Sequence, residues 1–328
     1  MLQPIHPTRH LRLSYDATRL HARRLAVAGA NAIINRGVVF RTTGRLNRRT
    51  GSLASVFLVY PARDEYALAY VYPERIESIR WHPWPVGLIR QNGRFAIMFG
   101  VSSNDSHFRA SRHTRDLESL VDRMENLRTI LGAEQKTFAG VLPGLLAQRG
   151  IITDTPEADI TATVVVKAVA ALKHEAHLSP ATPVIVLGGA GYVGRRVVAG
   201  LPAQHRVEVV DSVHGLPSRL PSDLRGKPAI LLNVAAPGAI GDHMAGLWPE
   251  LLVLNEVYPE PIPAELAALA DRGVACFHLA GVKARAFPPF PAAYAGAIPC
   301  CAAWPSDDLQ PVLRHMPPTR DPRSGVHQ

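Results

Sequence analysis

Three glycines at fixed spacing are the residues of this sequence that most directly indicate chemistry. Gly189, Gly191 and Gly194 follow the apolar strand candidate Val184–Leu187 and lead into a helix candidate. In a dinucleotide-binding turn, the first glycine permits the tight turn and the second lets the backbone approach a pyrophosphate. The third glycine lets helix and strand pack closely, with the helix N-terminus facing the anion. The pattern therefore predicts a nucleotide-binding turn.

An acidic residue follows where such turns recognise a ribose. Asp211 ends a second apolar segment, Val207–Val210, and lies 22 positions after Gly189. A carboxylate at this place hydrogen-bonds the ribose hydroxyls of NAD and repels the 2′-phosphate of NADP. We therefore expect NAD(H) in preference to NADP(H), although the nearby Arg206 and Arg219 leave NADP(H) open.

Further apolar segments alternate with helical stretches after this acid. The strand candidates are 228–236, 251–255 and 274–279. The alternation predicts an α/β fold with a Rossmann-like, doubly wound parallel sheet, whose ligands lie beyond the carboxyl ends of the strands. By position alone, this rule selects 233–237, 255–258 and 280–281. The predicted cofactor-binding residues are Gly189, Gly191, Tyr192, Val193, Gly194, Asp211 and Ala235.

Two adjacent thiols follow a proline-rich stretch near the end of the sequence. A helix beginning near Pro299 would place Cys300 at its N-terminus, where the partial positive charge lowers a thiol pKa and favours the nucleophilic thiolate. Cys300 and Cys301 could equally be small buried hydrophobic residues, as we expect for Cys276 on an apolar strand. Cys300 is therefore a candidate catalytic residue, with packing as the alternative.

Lys136 is a second candidate catalytic residue, and it lies in the glycine-containing segment 132–144. Glycines permit close approach of the backbone, and Lys136 and Thr137 could offer a cation and a hydroxyl to a substrate carbonyl or phosphate. A solvated lysine is the alternative interpretation.

The N-terminal half combines helix and strand patterns. Helix candidates are 16–34 and 116–131, and strand candidates are 38–43, 53–60 and 95–99. We interpret the aromatic segment Trp81–Trp84 as packing or a pocket wall, because its single histidine lacks partner ligands at the spacing of a metal site. We expect a mixed α/β domain over 1–178, a nucleotide-binding domain over 179–303, and a partly disordered tail over 304–328.

Composition limits the classes of function. The 328 residues carry a formal net charge of +9, which would attract an acidic partner such as an acidic carrier protein. An RNA-binding signature is lacking, so we expect no nucleic acid. No apolar run is long enough to span a bilayer, and three cysteines do not make a disulfide framework. We expect a cytoplasmic homo-oligomer without a bound metal.

In the order of its segments, the chain resembles the long-chain acyl-carrier-protein reductases. The collinear segments are 44–58, 138–140, 161–167, the glycine turn, 251–259 and 280–282. The resemblance implies that Cys300 attacks an acyl thioester and that a nicotinamide hydride then reduces the enzyme-bound thioester to an aldehyde. The sequence departs from the family in two respects. The family prefers NADPH, against the expectation from Asp211, and it continues into a helical region where this chain becomes proline-rich.

Three functions stay open at this point. The broadest is an NAD(P)-dependent oxidoreductase, with reduction of an acyl thioester through Cys300 as its sharper form. The second is a dehydrogenase or reductase of a small keto, hydroxy or imino acid, with Lys136 as acid/base or carboxylate anchor. The third is a non-catalytic nucleotide-binding accessory protein of a biosynthetic pathway.

Overall fold

The computed structural model describes residues 7–61, 67–68, 71–211 and 215–318. The chain forms two compact units, Met1–Asp154 and Thr155–Gln328. The division falls well before the expected boundary at 178/179, because the helix Pro156–Glu175 packs on elements of the second unit.

The first unit is a mixed α/β structure, as predicted. Its sheet has the order β2-β3-β1-β4, in which β1 runs parallel to β3 and β4 whereas β2 runs antiparallel to β3. The described elements are α1 (Pro7–Ile34), α2 (Gly37–Thr50), β1 (Leu53–Val59), β2 (Trp84–Gln91), β3 (Arg94–Gly100), α3 (Asp105–Arg109), α4 (Thr114–Leu131), β4 (Gln135–Phe138) and α5 (Leu142–Gln148).

The predicted strand at 38–43 is wrong, because these residues belong to α2. Phe40, Gly44 and Asn47 are the buried residues of α2, and their spacing is helical. A Cβ at Gly44 would lie 1.9 Å from the carbonyl oxygen of Ile130. The backbones of α2 and α4 are therefore in close contact at this glycine. This contact outweighs the β propensity of the valine pair that opens α2.

The second unit carries the predicted parallel sheet. In its described part the strand order is β6-β5-β7-β8-β9-β11, with β11 antiparallel to β9 and every other neighbouring pair parallel. The described elements are α6 (Pro156–Glu175), β5 (Val184–Leu187), α7 (Gly194–Gly200), β6 (Val207–Val210), β7 (Ala229–Asn233), α8 (Ala239–Asp242), β8 (Leu251–Asn255), α9 (Pro263–Ala270), β9 (Ala275–Val282), β10 (Arg285–Phe287) and β11 (Pro311–His315).

The order of these strands defines where a ligand would bind. The chain runs from β5 to β6 on one side and then crosses to β7 on the other side of β5. The carboxyl ends of β5 and β7 therefore flank a topological switch point, which is the usual ligand crevice of such sheets. Within the expected tail 304–328, residues 311–315 instead form the edge strand β11, while residues from 319 onward lie outside the described part.

Candidate functional site

The glycine turn between β5 and α7 brings backbone segments into close contact. Gly188, which the sequence analysis did not select, has a φ of +85° and provides the left-handed turn that was expected of Gly189. A Cβ on Gly188 would lie 2.6 Å from the Cα of Ala235, and one on Gly194 would lie 2.0 Å from the carbonyl oxygen of Gly188. The turn therefore requires glycine at both ends.

Gly191 differs from these two glycines because it faces more open space. Its amide donates to the carbonyl oxygen of Gly188 at 3.0 Å, and an added Cβ would meet only that oxygen, also at 3.0 Å, among the described atoms within 4 Å. The expected role of Gly191 was to let a pyrophosphate approach the backbone. The open side of this residue fits that role.

Asp211 lies next to the turn, at the end of β6. Its carboxylate is nearly buried and accepts a hydrogen bond from the amide of Ala190 at 3.2 Å. Arg206, which could have served a 2′-phosphate, instead pairs with Glu208 at 2.7 Å and with Asp223 at 2.5 Å. The hydrogen bonds that Arg206 donates to Asp223 and Glu208 raise its pKa. The structure therefore places a carboxylate, rather than this guanidinium, beside the turn.

Tyr192 anchors the turn through its own side chain. Its hydroxyl donates to Oγ1 of Thr155 at 2.5 Å, and its ring lies 4.5 Å from the guanidinium of Arg196. Arg196 also donates to the carbonyl oxygen of Tyr192 at 2.9 Å. The half-buried Val193 precedes α7 with helical backbone angles. Tyr192 and Val193 thus shape the predicted cofactor turn.

A row of buried polar side chains crosses three neighbouring strands, at the carboxyl ends of β7 and β8 and in the middle of β9. Asn233, Asn255 and His278 pair in register on β7, β8 and β9, and each is at most 3% exposed. The Asn233 amide donates to Oδ1 of Asn255 at 2.8 Å, and Nδ2 of Asn255 lies 3.1 Å from Nδ1 of His278. Asn233 Oδ1 accepts from the amide of Ala235 at 3.1 Å, which fixes Ala235 against the glycine turn. Burial lowers the pKa of His278.

Glu256 follows Asn255 directly in the sequence. The sequence analysis included it in the segment 255–258 by position but gave its side chain no role. Its backbone amide donates to the carbonyl oxygen of Asn233 at 3.0 Å. The residue is half-buried, and the desolvation of its carboxyl group raises the pKa to about 7. A carboxylic acid with a pKa near neutrality is suited to give and take protons.

Aromatic rings and thiols lie close to Glu256. Tyr258 and Tyr294 stack with ring centroids 5.3 Å apart. Burial raises the pKa of Tyr294, and Cys301, Tyr258, Cys300 and Glu256 raise it further. Tyr294 and Cys300 therefore lie near enough to Glu256, at the carboxyl end of β8, for its charge to raise their pKa values.

The predicted helix beginning near Pro299 is wrong, whereas a catalytic role of Cys300 stays a prediction. Residues Cys300–Ala302 form a single 3-10 turn rather than the start of an α-helix, so no helix dipole stabilises a thiolate there. Cys300 is buried, and burial followed by the charge of Glu256 raises its pKa well above the ordinary thiol value. Cys276 is buried on β9, and its pKa is raised to about 12, which fits the packing role expected of it.

The loop that carries Cys300 is held on β9 by a close backbone approach. Val282 and Ile298 exchange two backbone hydrogen bonds, of 2.9 and 3.0 Å. Gly281 has a φ of +135°, and a Cβ there would lie 2.0 Å from the carbonyl oxygen of Ile298. The loop therefore depends on glycine at this position of β9.

The comparisons with known proteins return a likeness in fold. No family model and no curated protein matches this chain. A shikimate 5-dehydrogenase from Listeria monocytogenes, solved in complex with shikimate and NAD, is 12% identical with a TM-score of 0.37, and the match covers 69% of this chain and 86% of that one. A bifunctional 5,10-methylenetetrahydrofolate dehydrogenase/cyclohydrolase from Thermoplasma acidophilum is 16% identical with a TM-score of 0.35, covering 71% and 82%. The resemblance to the acyl-carrier-protein reductases stays a hypothesis.

The first unit holds the other predicted catalytic residue. Lys136 lies on β4, and its ammonium donates to Glu125 of α4 at 2.6 Å. Hydrogen bonds from Arg128 and Lys136 lower the pKa of Glu125 to about 2. Thr137 is fully buried, with its hydroxyl 3.3 Å from that of Ser55. Both side chains thus have structural partners within the first unit.

Two further features of the described residues bear on function. Trp81 packs its ring against Phe108, at 5.8 Å between centroids, and against His113 at 5.1 Å, which confirms the interpretation of this segment as packing. No cluster of three or more metal-binding side chains occurs among the described residues. Within the same residues, no helix combines the length and apolar character that crossing a membrane requires.

Proposed function

We propose that this protein is an oxidoreductase that uses a nicotinamide dinucleotide, with NAD(H) preferred to NADP(H). The observation that carries the proposal is the contact between Asp211 and Ala190, which places a carboxylate beside the glycine turn at the switch point of the sheet.

The residues present fit such a cofactor. The open side of Gly191 would admit the pyrophosphate, and Asp211 would accept hydrogen bonds from the ribose hydroxyls. Ala235, held by Asn233 against the turn, would line the middle of the crevice. When bound, the cofactor supplies hydride transfer.

Among the possible substrates, a small carbonyl compound or the matching alcohol has the stronger support. Reduction of an acyl thioester through Cys300 needs a thiolate, and the burial of Cys300 opposes its formation. Lys136, the expected acid/base of the small-acid alternative, is already paired with Glu125. Glu256 has a pKa near neutrality and lies beside the crevice, so it is the more suitable proton-transfer group.

Gly191→Ala tests the proposed cofactor site. The added methyl group fills the open side of the turn at the cost of one tight contact with a backbone oxygen, so the fold should persist while a pyrophosphate is displaced. We expect the Kd for NADH, measured by calorimetry, to rise at least about tenfold, or about 1.4 kcal/mol.

Gly241→Ala is the matched control. Its Cβ would lie 3.6 Å from the nearest atom, Oε1 of Glu265, which is an ordinary van der Waals contact. This variant should bind NADH like the wild type. Failure of the wild-type protein to bind either NADH or NADPH would overturn the proposed function and favour an accessory protein without a cofactor.

A further inference from the structure

Glu256 occupies a defined place relative to the glycine turn. It follows β8, which is separated from β5 by β7 alone, and its amide extends the pairing of β7 with β8 through Asn233. Neighbouring strands lie about 4.8 Å apart, so the backbone of Glu256 stands roughly 10 Å from the line of β5.

The direction in which a dinucleotide would lie follows from the strand order. Asp211 ends β6, on one side of β5, and would hold the adenosine ribose there. The other half of the molecule then extends toward the ends of β7 and β8. Glu256 and its neighbours are therefore at the nicotinamide end of the crevice.

Glu256 is half-buried, and its carboxyl group lies beside groups that are uncharged at neutral pH. Within the described part of the chain, no residue is bound to this carboxyl group by a hydrogen bond or an ion pair. The titratable groups close to it are the phenol of Tyr294 and the thiol of Cys300, whose raised pKa values keep them neutral at pH 7. Tyr258 and Cys301 stand next to these two groups and are also uncharged when protonated.

The charged groups of the neighbouring strands are engaged elsewhere. His278, opposite Asn255 on β9, lies 3.0 Å from the carbonyl oxygen of Asn255 through Nδ1. Glu260 and Arg314 form an ion pair with each other at 2.9 Å. Among the carboxyl, phenol and thiol groups at this place, the carboxyl group of Glu256 has the pKa nearest neutrality, so it is the one suited both to give a proton to a substrate oxygen and to take it back.

We propose, on the basis of the nicotinamide-dependent function proposed above, that Glu256 is the acid–base residue of the site and that the substrate is a ketone or aldehyde interconverted with its alcohol. In reduction, the carbonyl carbon receives the hydride of the reduced nicotinamide, and the π electrons of the C=O bond move to oxygen. That oxygen takes the proton of the Glu256 carboxyl group, leaving a carboxylate. In oxidation, the carboxylate removes the hydroxyl proton as the hydride leaves.

A test that needs no knowledge of the substrate follows from the charge of the cofactor. The oxidised nicotinamide ring is positive and the reduced ring is neutral, so NAD+ close to Glu256 favours its carboxylate and lowers its pKa. Linkage then requires the affinity for NAD+ to rise with pH by the same factor. We expect NAD+ to bind about tenfold more tightly at pH 8 than at pH 6, while NADH binding stays nearly constant, as measured by calorimetry.

Glu256→Gln should abolish this pH dependence and keep both nucleotides bound, whereas Glu250→Gln, at an exposed turn before β8, should behave like the wild type. If NAD+ and NADH bind to the wild type with the same pH dependence, Glu256 does not hold the proposed place, although the cofactor site stands. If the affinity of Glu256→Gln for NAD+ still rises with pH, the proposed role of Glu256 is likewise overturned. The wild-type pH series and Glu256→Ala keep the test decisive if the glutamine variant does not fold. If the wild type binds neither NAD+ nor NADH, the proposed function itself is overturned.

Discussion

At the scale of single residues, burial decides which titratable groups exchange protons near neutral pH. Burial moves Cys300 and Tyr294 away from neutrality, because the charged form of each is the thiolate or phenolate. The same effect moves Glu256 toward neutrality, because a carboxyl group starts from a low pKa. Desolvation thus favours proton transfer by the carboxyl group of Glu256 and disfavours nucleophilic attack by the thiol of Cys300.

The raised pKa of Glu256 predicts how stability changes with pH. Its pKa rises from 4.5 to about 7 on folding, so the folded protein binds more protons than the unfolded chain between these values. Stability from this group is therefore present below pH 4.5 and is lost as the pH rises to about 7. We expect the unfolding free energy of the wild type, relative to Glu256→Gln, to fall by on the order of 2 kcal/mol between pH 4.5 and 7.5.

Urea denaturation of both proteins at the two pH values measures this difference, and the comparison cancels the contributions of other titrating groups. Parallel pH profiles would show that the carboxyl group of Glu256 is solvated in the folded protein.

At the scale of elements, the helix α6 is an integral part of the second unit. Its buried face includes Val164, Val165 and Leu172, and Val166 packs against α7 at Gly200. Burial of each large apolar side chain contributes about 1.5–3 kcal/mol, so loss of α6 would remove a large part of the 5–15 kcal/mol typical of a domain.

Two fragments separate the observed boundary from the expected one. A fragment of residues 155–328 should unfold cooperatively and bind NADH, whereas a fragment of residues 179–328 should lack a cooperative transition. Circular dichroism during thermal unfolding checks both. Equal cooperativity in the two fragments would place α6 outside the folding unit.

The elements also show what the sequence could and could not predict. The strands β5 to β9 and the helix at 116–131 were predictable, because their apolar patterns are local and match their burial, whereas β11 lies in the segment that was expected to be a partly disordered tail. The helix at 37–50 was not, because its packing on α4 through Gly44 joins residues far apart in sequence. The raised pKa of Glu256 was not predictable either. Its position after a strand was evident from the sequence, but its desolvation depends on residues that are distant in the sequence.

At the scale of the whole molecule, we expect one carboxylate, that of Asp211, to select between NAD(H) and NADP(H). Asp211 lies beside the glycine turn, and Arg206 is held in ion pairs with Glu208 and Asp223. Repulsion between Asp211 and a 2′-phosphate should exclude NADPH, whereas the ribose hydroxyls of NADH should bind. Asp211→Asn keeps an oxygen for the amide of Ala190 and removes the charge, so it changes selection without removing that contact.

The most direct test is calorimetric titration of NADH and NADPH into the wild type, Asp211→Asn and the surface control Asp271→Asn. We expect the wild type and the control to bind NADH at least about tenfold more tightly than NADPH, a difference of about 1.4 kcal/mol, and Asp211→Asn to lose most of that preference. Tighter binding of NADPH by the wild type, or an unchanged preference in Asp211→Asn, would contradict the assignment of Asp211 as the residue that selects the cofactor.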